Sequence, residues 1–126
     1  MAGETVLLYN CSGPQWAKLR QVLAVNKLHF RAGERAQYGL TLTQVLSGDT
    51  EEAGVEEEFS EPMLVFCGLT GAQLDRLLTA MRRAKLPPVP LKAVLTADNR
   101  TWTSQRLWQE LRAEHEAMTQ GSSIHQ

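Results

Sequence analysis

Two cysteines are the residues of this sequence with the clearest potential for chemistry. Cys11 comes two residues after the apolar run 5–9, and Cys67 stands at the end of the apolar run 62–68. Each thiol therefore stands between a predicted strand and the start of a predicted helix, where the helix dipole and unpaired backbone N–H groups lower the pKa of a thiol. This position predicts a nucleophilic or redox thiol pair, whereas two small buried apolar side chains are the simpler interpretation.

Polar side chains close to the same strand ends are candidate ligand-binding residues. They are Asn10, Ser12, Thr70, Lys92, Thr96 and Asn99. The turn 10–14 leads into a helix and offers backbone N–H groups to an anion, but it lacks the glycine spacing and the lysine of known phosphate-binding loops. Lys92 interrupts an apolar strand, where it is either an anion partner or a charge that protects a sheet edge.

The sequence predicts no metal site and no cofactor. Its three histidines are His29, His115 and His125, and they have no ligand spacing to each other or to the cysteines. Two cysteines are also too few for a secreted disulfide framework. We therefore expect free thiols in a reducing compartment.

The formal net charge of −1 hides an uneven distribution along the chain. Between Gly48 and Pro62 lie seven acidic residues and no Lys or Arg, so the rest of the chain has 13 basic and seven acidic residues, a net charge of +6. Four cations lie along one predicted helix: Arg76, Arg82, Arg83 and Lys85. No aromatic residues alternate with them, so we interpret them as a solvated helix face and do not expect nucleic acid as a partner.

Four apolar runs of strand length alternate with four amphipathic helical patterns. The predicted strands are 5–9, 28–31, 62–68 and 91–96. Each of the last three helices follows a threonine that can cap its N-terminus: Thr41, Thr70 and Thr103. The first two of these threonines precede a glutamine by three residues, which is the spacing of a capping box.

The order β-α-β-α-β-α-β-α predicts an α/β fold, a four-stranded mostly parallel sheet of order 2-1-3-4 with helices on both faces. If the first and third strands are parallel neighbours, both cysteines face one crevice at the carboxyl edge of the sheet. The alternative is a ferredoxin-like α+β fold with an added C-terminal helix. It omits the helix after Thr41, pairs the second and third strands as a hairpin, and puts the cysteines at opposite ends of the sheet.

The C-terminal half of the sequence has features of a known family. They include Gly68-Leu69-Thr70, Gln73-Leu74-Asp75, the block from Pro90 to Thr96 (Pro-Leu-Lys-Ala-Val-Leu-Thr), Asn99 and Trp102. This half, about the last 60 residues, resembles a bacterial family of small cytoplasmic α/β proteins known as a domain of unknown function. The resemblance implies no activity, cofactor or catalytic residue.

Length and composition favour a single globular domain. We expect the domain to span residues 1–118, with 48–62 as a mobile acidic loop and 119–126 as a disordered tail. The sequence starts without a basic and apolar leader, and it has no apolar stretch of about 18 residues that could cross a membrane. We therefore expect a cytoplasmic location and no membrane partner.

The first functional hypothesis is a small binding or regulatory domain that holds a small molecule or a protein at the carboxyl edge of the sheet. No nucleophile, base and orienting group occur at a recognisable spacing, so the sequence assigns no catalysis and leaves open whether the protein is an enzyme. The second hypothesis is a thiol-dependent enzyme or redox sensor that uses Cys11 and Cys67. The third is a weak nucleic-acid binder that uses the face from Arg76 to Lys85.

Overall fold

The computed structural model describes residues 4–49, 51–55 and 58–124, and it describes side chains as far as residue 117. The strands are β1 (Thr5–Tyr9), β2 (His29–Ala32), β3 (Met63–Cys67) and β4 (Leu91–Val94). The α-helices are α1 (Leu19–Val25), α2 (Leu42–Leu46), α3 (Gly71–Arg83) and α4 (Ser104–Ile124). Short 3₁₀ turns, Pro14–Trp16 and Arg35–Gln37, follow β1 and β2.

The four strands form one sheet in the order β2-β1-β3-β4, which confirms the predicted order and the α/β class. β1 runs parallel to β2, and β3 runs parallel to β4. The two central strands β1 and β3 are antiparallel, with Thr5 opposite Cys67 and Tyr9 opposite Met63. The prediction that these two strands run in the same direction is therefore wrong.

The direction of β3 follows from the short connection that precedes it. Helix α2 has five residues and is about 7.5 Å long, less than half the length of a strand such as β1. The chain then returns to the end of β1, where the Asn10 side chain donates hydrogen bonds to the carbonyls of Phe59 (3.3 Å) and Glu61 (3.1 Å). Because β3 starts at the edge where β1 ends, it must run back along β1.

The ferredoxin-like alternative is also wrong. β2 pairs with β1 and lies two strands away from β3, so the two strands make no hairpin. The helix that this alternative omits is present, and it begins with the predicted capping box: Thr41 Oγ1 accepts the backbone N–H of Gln44, and Gln44 Oε1 accepts that of Thr41.

Two apolar layers cover the two faces of the sheet. On one face, α1 and α3 pack over a layer that includes Val6, Leu8, Leu19, Leu23, Leu64, Phe66, Leu77 and Met81. On the other face, α2 and α4 pack over a layer that includes Leu7, Tyr9, Tyr38, Leu42, Phe59, Met63, Val65, Leu107 and Trp108. Alternate residues of β1 and β3 point into the two layers, as expected for strands buried on both sides.

The two halves of the fold have the same order of elements, βαβα. The first unit is β1-α1-β2-α2 and the second is β3-α3-β4-α4, and each has two parallel strands. The antiparallel pairing of β1 with β3 is symmetric about Leu7 and Val65, which lie opposite each other. Residues at matching positions in the first βα segments differ in number by 58, as Thr5 and Met63 do at the two strand starts.

Local backbone geometry supports this correspondence. Left-handed residues outside glycine occur at Asn10, Lys27 and Lys85, and left-handed glycines include Gly68. Asn10 matches Gly68 at the strand end, and Lys27 matches Lys85 immediately after the helix, with φ values of 59° and 58°. After four extra residues at 87–90, the difference in number becomes 62, and Thr41 and Thr103 face each other in an antiparallel bridge.

The acidic segment between the two units has no helix or strand in its described residues. It nevertheless contributes to the core, because the Phe59 side chain is only 2% exposed. The Phe59 ring stacks between Tyr38 (centroids 4.2 Å apart) and Trp108 (5.3 Å). An anchored core residue is not what a loop with little to bury predicts, and sequence reasoning overlooked it.

Helix α4 continues to Ile124, beyond the predicted end of the domain at 118 and into the segment expected to be a disordered tail. The last two residues of that tail lie outside the described part of the chain. Among the described residues, no helix combines the length and the apolar character that crossing a membrane requires.

Candidate functional site

The antiparallel centre of the sheet separates the two cysteines. Cys67 lies opposite Thr5 at the start of β1, whereas Cys11 lies beyond the other end of that strand. The strand from Thr5 to Tyr9 alone spans roughly 13 Å, well above the roughly 7 Å between Cα atoms that a disulfide tolerates. The shared crevice predicted for the two thiols therefore does not exist.

The surroundings of each thiol also oppose the predicted activation. Burial raises the pKa of the Cys11 thiol and that of the Cys67 thiol to about 11 each. The thiols point to carbonyls of their own strands: Cys11 Sγ donates to Tyr9 O at 3.3 Å and Cys67 Sγ to Val65 O at 3.8 Å. The expectation of a lowered thiol pKa is therefore wrong, and the thiols resemble small buried apolar groups.

We expect both thiols to react slowly with a disulfide reagent at about pH 7.5. Only a small fraction of a thiol with a pKa of about 11 is ionised at that pH, and the thiolate is the reactive form. The reaction rate should rise steadily between about pH 8 and about pH 10.5, and Cys67 should react mainly when the protein unfolds. Rapid labelling of either cysteine in the folded protein near neutral pH, measured against the same protein in urea, would contradict this assignment.

Most of the predicted ligand-binding residues make hydrogen bonds to the backbone. Thr70 caps α3, since its hydroxyl accepts the backbone N–H of Gln73 at 3.1 Å. Thr96 and Asn99 close a turn after β4: the Thr96 backbone N–H donates to Asn99 Oδ1 at 2.8 Å, and Asn99 Nδ2 donates to Val94 O at 3.0 Å. Lys92 Nζ donates to Val89 O at 2.5 Å on an edge strand.

The Asn10 side chain also makes hydrogen bonds within the protein, but it borders a hollow at the carboxyl edge of β1 and β2. Besides its two donated bonds, Asn10 Oδ1 accepts the Tyr38 hydroxyl at 3.1 Å. The hollow, which we call the β1–β2 crevice, has a volume of about 440 Å³. It is lined by Leu8, Asn10, Cys11, Ser12, Arg20 and the segment 32–36. This is the position where parallel strands commonly present ligand sites.

Two arginines line the β1–β2 crevice from different elements. Arg20 projects from α1, and its guanidinium lies over the Phe30 ring at 5.5 Å from the centroid. Arg35 begins the 3₁₀ turn that follows β2. Both side chains are exposed, and Ser12 adds a hydroxyl, so cations and hydrogen-bond donors surround one small volume. With Glu34 as the one carboxylate among the lining residues, the crevice has a net charge of +1.

The second unit offers a natural comparison for the crevice. At the positions that match Arg20 and Arg35 it has Leu78 and Ala97, and neither side chain is charged. The hydroxyl position is kept, because Ser12 matches the α3 cap, Thr70. The two cations are therefore particular to the first unit. Sequence reasoning missed both arginines because they lie in a helix and a turn whose proximity depends on the fold.

The described residues bring together no group of three or more His, Cys, Asp or Glu side chains that could hold a metal ion. With two arginines and one carboxylate among its lining residues, the β1–β2 crevice is suited to an anion rather than a cation.

Comparisons with known proteins address the second unit. No curated protein and no solved structure matches the chain. One family model matches residues 62–118, which span β3, α3, β4 and all of the described α4 side chains. The first unit, with the β1–β2 crevice, lies outside that match. By this comparison, residues 62–118 are similar to the family described as "Domain of unknown function (DUF3783)".

Proposed function

We propose that this protein is a small binding domain that holds an anionic small molecule in the β1–β2 crevice. The observation that supports the proposal is the convergence of Arg20 and Arg35 on one hollow at the carboxyl ends of two parallel strands. A guanidinium group forms paired hydrogen bonds with phosphate and carboxylate oxygens, and two such groups suit a ligand with more than one anionic oxygen. The volume of about 440 Å³ is in the usual range for small-molecule sites.

The same geometry weakens the thiol hypothesis. A nucleophile and a resolving thiol must approach each other within bonding distance, and Cys11 and Cys67 lie at opposite ends of the sheet. Cys11 does line the β1–β2 crevice, but its raised pKa leaves it protonated near neutral pH. We therefore assign binding, and no catalytic step, to this site.

The test is calorimetric titration with inorganic pyrophosphate, and with citrate as a carboxylate probe, at about 50 mM salt. We expect saturable binding of at least one of them, and a loss of affinity of at least about tenfold in the double variant Arg20→Ala, Arg35→Ala, because each charge-assisted hydrogen bond contributes roughly 1.5–3 kcal/mol.

A matched control is Arg106→Ala on the other face of the sheet. Arg106 also lies over an aromatic ring, that of Trp102, at 4.4 Å from the centroid, so its removal costs the same charge and a similar ring contact as the Arg20→Ala half of the double variant. Affinity should be unchanged in this control. Equal losses in the control and in the double variant, or no binding of either probe to the natural protein, would refute the proposal.

A further inference from the structure

A second charged surface lies on the helix layer formed by α1 and α3. The two helices pack side by side on one face of the sheet. With their flanking turns they contain seven of the 13 basic residues of the chain: Lys18, Arg20, Lys27, Arg76, Arg82, Arg83 and Lys85. All seven side chains are exposed, and the same segments contain one acidic residue, Asp75. We call the exposed side of this layer the basic face.

The opposite side of the molecule has the opposite charge. The acidic segment is fixed beside α4, since Trp108 stacks on Phe59 and its Nε1 donates to Glu61 Oε1 at 3.2 Å. Described acidic residues of this segment are Asp49, Glu51, Glu52, Glu58 and Glu61. A near-neutral protein thus has an uneven charge distribution across its sheet: cations dominate the basic face, whereas on the other side the carboxylates of the acidic segment and α4 outnumber Arg100, Arg106 and Arg112. This arrangement orients the protein towards a polyanion.

One hollow beside the helices brings cations of the two units together, and the groove next to it has Arg76, Arg83 and Asp75 of the second unit. Val25 and Asn26 at the end of α1 line a shallow groove of about 720 Å³ with Arg76 and Arg83 of α3. Beside it, Lys27 and Arg76 line a hollow of about 450 Å³ with Glu4. Helix α3 alone offers a row of exposed cations, and the fold adds Lys18, Arg20 and Lys27 from α1 and its flanking turns.

Cations of the basic face occupy matching positions in the two βαβα units. Lys18 matches Arg76, and Lys27 matches Lys85. Lys27 and Lys85 both have left-handed backbone, where glycine is the residue without a steric cost. Each unit therefore has a cation at two equivalent places on the same face, including one place where a lysine is not the most stable choice.

The chemistry of the basic face favours nucleic acid over a protein partner. A stable protein interface needs a desolvated apolar centre. Among the described residues, the large apolar side chains that are well exposed are Val25 (74%) and Val94, and only Val25 belongs to this face. Phosphate backbones need no apolar centre, because their affinity comes from charge neutralisation and counterion release.

We propose that the basic face binds the phosphate backbone of nucleic acid without reading its bases. Few aromatic side chains are available for stacking on this face, since Trp16 is buried and Phe30 is covered by Arg20. Contacts to phosphates alone position a protein but carry no sequence information. Binding is therefore independent of sequence and strongly dependent on salt.

The test is fluorescence anisotropy with a labelled DNA duplex of about 20 base pairs and mixed sequence. With about four phosphates neutralised, the Kd should rise about 100-fold between about 50 and 200 mM salt. The triple variant Lys27→Ala, Arg76→Ala, Arg83→Ala should bind at least about tenfold more weakly at the lower salt concentration. The control triple variant, Arg100→Ala, Arg106→Ala, Arg112→Ala, removes the same charge elsewhere and should bind within about threefold of the natural protein.

Three results would overturn this proposal: no binding at the lower salt concentration, a Kd that does not change with salt, or equal losses in the two triple variants. Binding to vesicles with about one third phosphatidylserine but not to the duplex would assign the face to an anionic lipid surface instead. The basic-face variant keeps Arg20 and Arg35, so its pyrophosphate titration separates a failure of this surface from a failure of the β1–β2 crevice.

Discussion

Replacing Phe59 by alanine is expected to lower the free energy of unfolding by about 3–5 kcal/mol, the range for deleting a fully buried phenylalanine. The Phe59 ring is 2% exposed and lies between the rings of Tyr38 and Trp108, so its removal leaves a cavity and ends two stacking contacts. The acidic segment would also lose its anchor in the core.

Urea denaturation monitored by circular dichroism measures this effect. The neighbouring exposed residue provides the control, and Glu58→Ala should change the free energy of unfolding by less than about 0.5 kcal/mol. Phe59→Leu fills part of the cavity and should fall between the two. A loss below about 1 kcal/mol in Phe59→Ala would mean that the segment before β3 is not packed as the structure describes.

The second large effect is expected for Asn10→Ala, which should lower the free energy of unfolding by about 2–4 kcal/mol. Asn10 has a left-handed φ of 60°, which costs alanine roughly 1–2 kcal/mol more than glycine. The substitution also removes the hydrogen bonds that join the end of β1 to Phe59, Glu61 and Tyr38. Acceptors left without partners in this part-buried place add roughly 1–2 kcal/mol.

The two contributions can be separated by further substitutions in thermal or urea unfolding. Asn10→Gly relieves the strain and loses only the hydrogen bonds, so it should cost about 1 kcal/mol less than Asn10→Ala. Gly68 is the matching position in the second unit, with a φ of 78° and open space where a Cβ atom would lie, so Gly68→Ala tests strain alone. If Asn10→Ala is no more harmful than Gly68→Ala, the hydrogen bonds of Asn10 contribute little.

Local sequence signals predicted the elements of this fold well. The capping boxes at Thr41 and Thr70 are present as predicted, because the cap and its partner lie within one helical turn. The continuous apolar runs became the buried central strands β1 and β3. Both signals act over a few residues, so no knowledge of the tertiary structure is needed to interpret them.

The relative direction of β1 and β3 was not predictable in the same way. It depends on whether the chain runs back along the sheet, to the edge where β1 begins, before it enters β3. A five-residue helix followed by an irregular segment does not run back that far. Phe59, which fixes that segment, stands alone among acidic residues and has no periodic partner in the sequence. Alternation of strands and helices therefore suggested a parallel centre that the chain does not form.

The repeated βαβα order could not be recognised in the sequence for a related reason. The matching segments share few identical residues, among them Gly13 with Gly71 and Leu19 with Leu77. Four extra residues at 87–90 then shift the correspondence, and the repeat is longer than the roughly 20–50 residues of familiar repeat proteins. Backbone conformation and strand register preserve the relation where side chains do not.

The candidate site, like the strand direction, could not be predicted from local sequence signals. Turn-forming residues such as Thr70, Thr96 and Asn99 were predicted to bind a ligand because of where they stand, but the same residue types are those that close turns and cap helices. Arg20 and Arg35 lie 15 positions apart and meet only in three dimensions. Long-range proximity of this kind is the part of a site that a single sequence does not contain.

The most direct test of a ligand site in the β1–β2 crevice is a nuclear magnetic resonance titration of the ¹⁵N-labelled protein with pyrophosphate. We expect the largest shifts among backbone amides at 11–13 and 33–36, together with the side chains of Arg20 and Arg35, and little change at the matching positions of the second unit. Shifts centred on the second unit, or spread evenly over exposed arginines, would contradict this assignment.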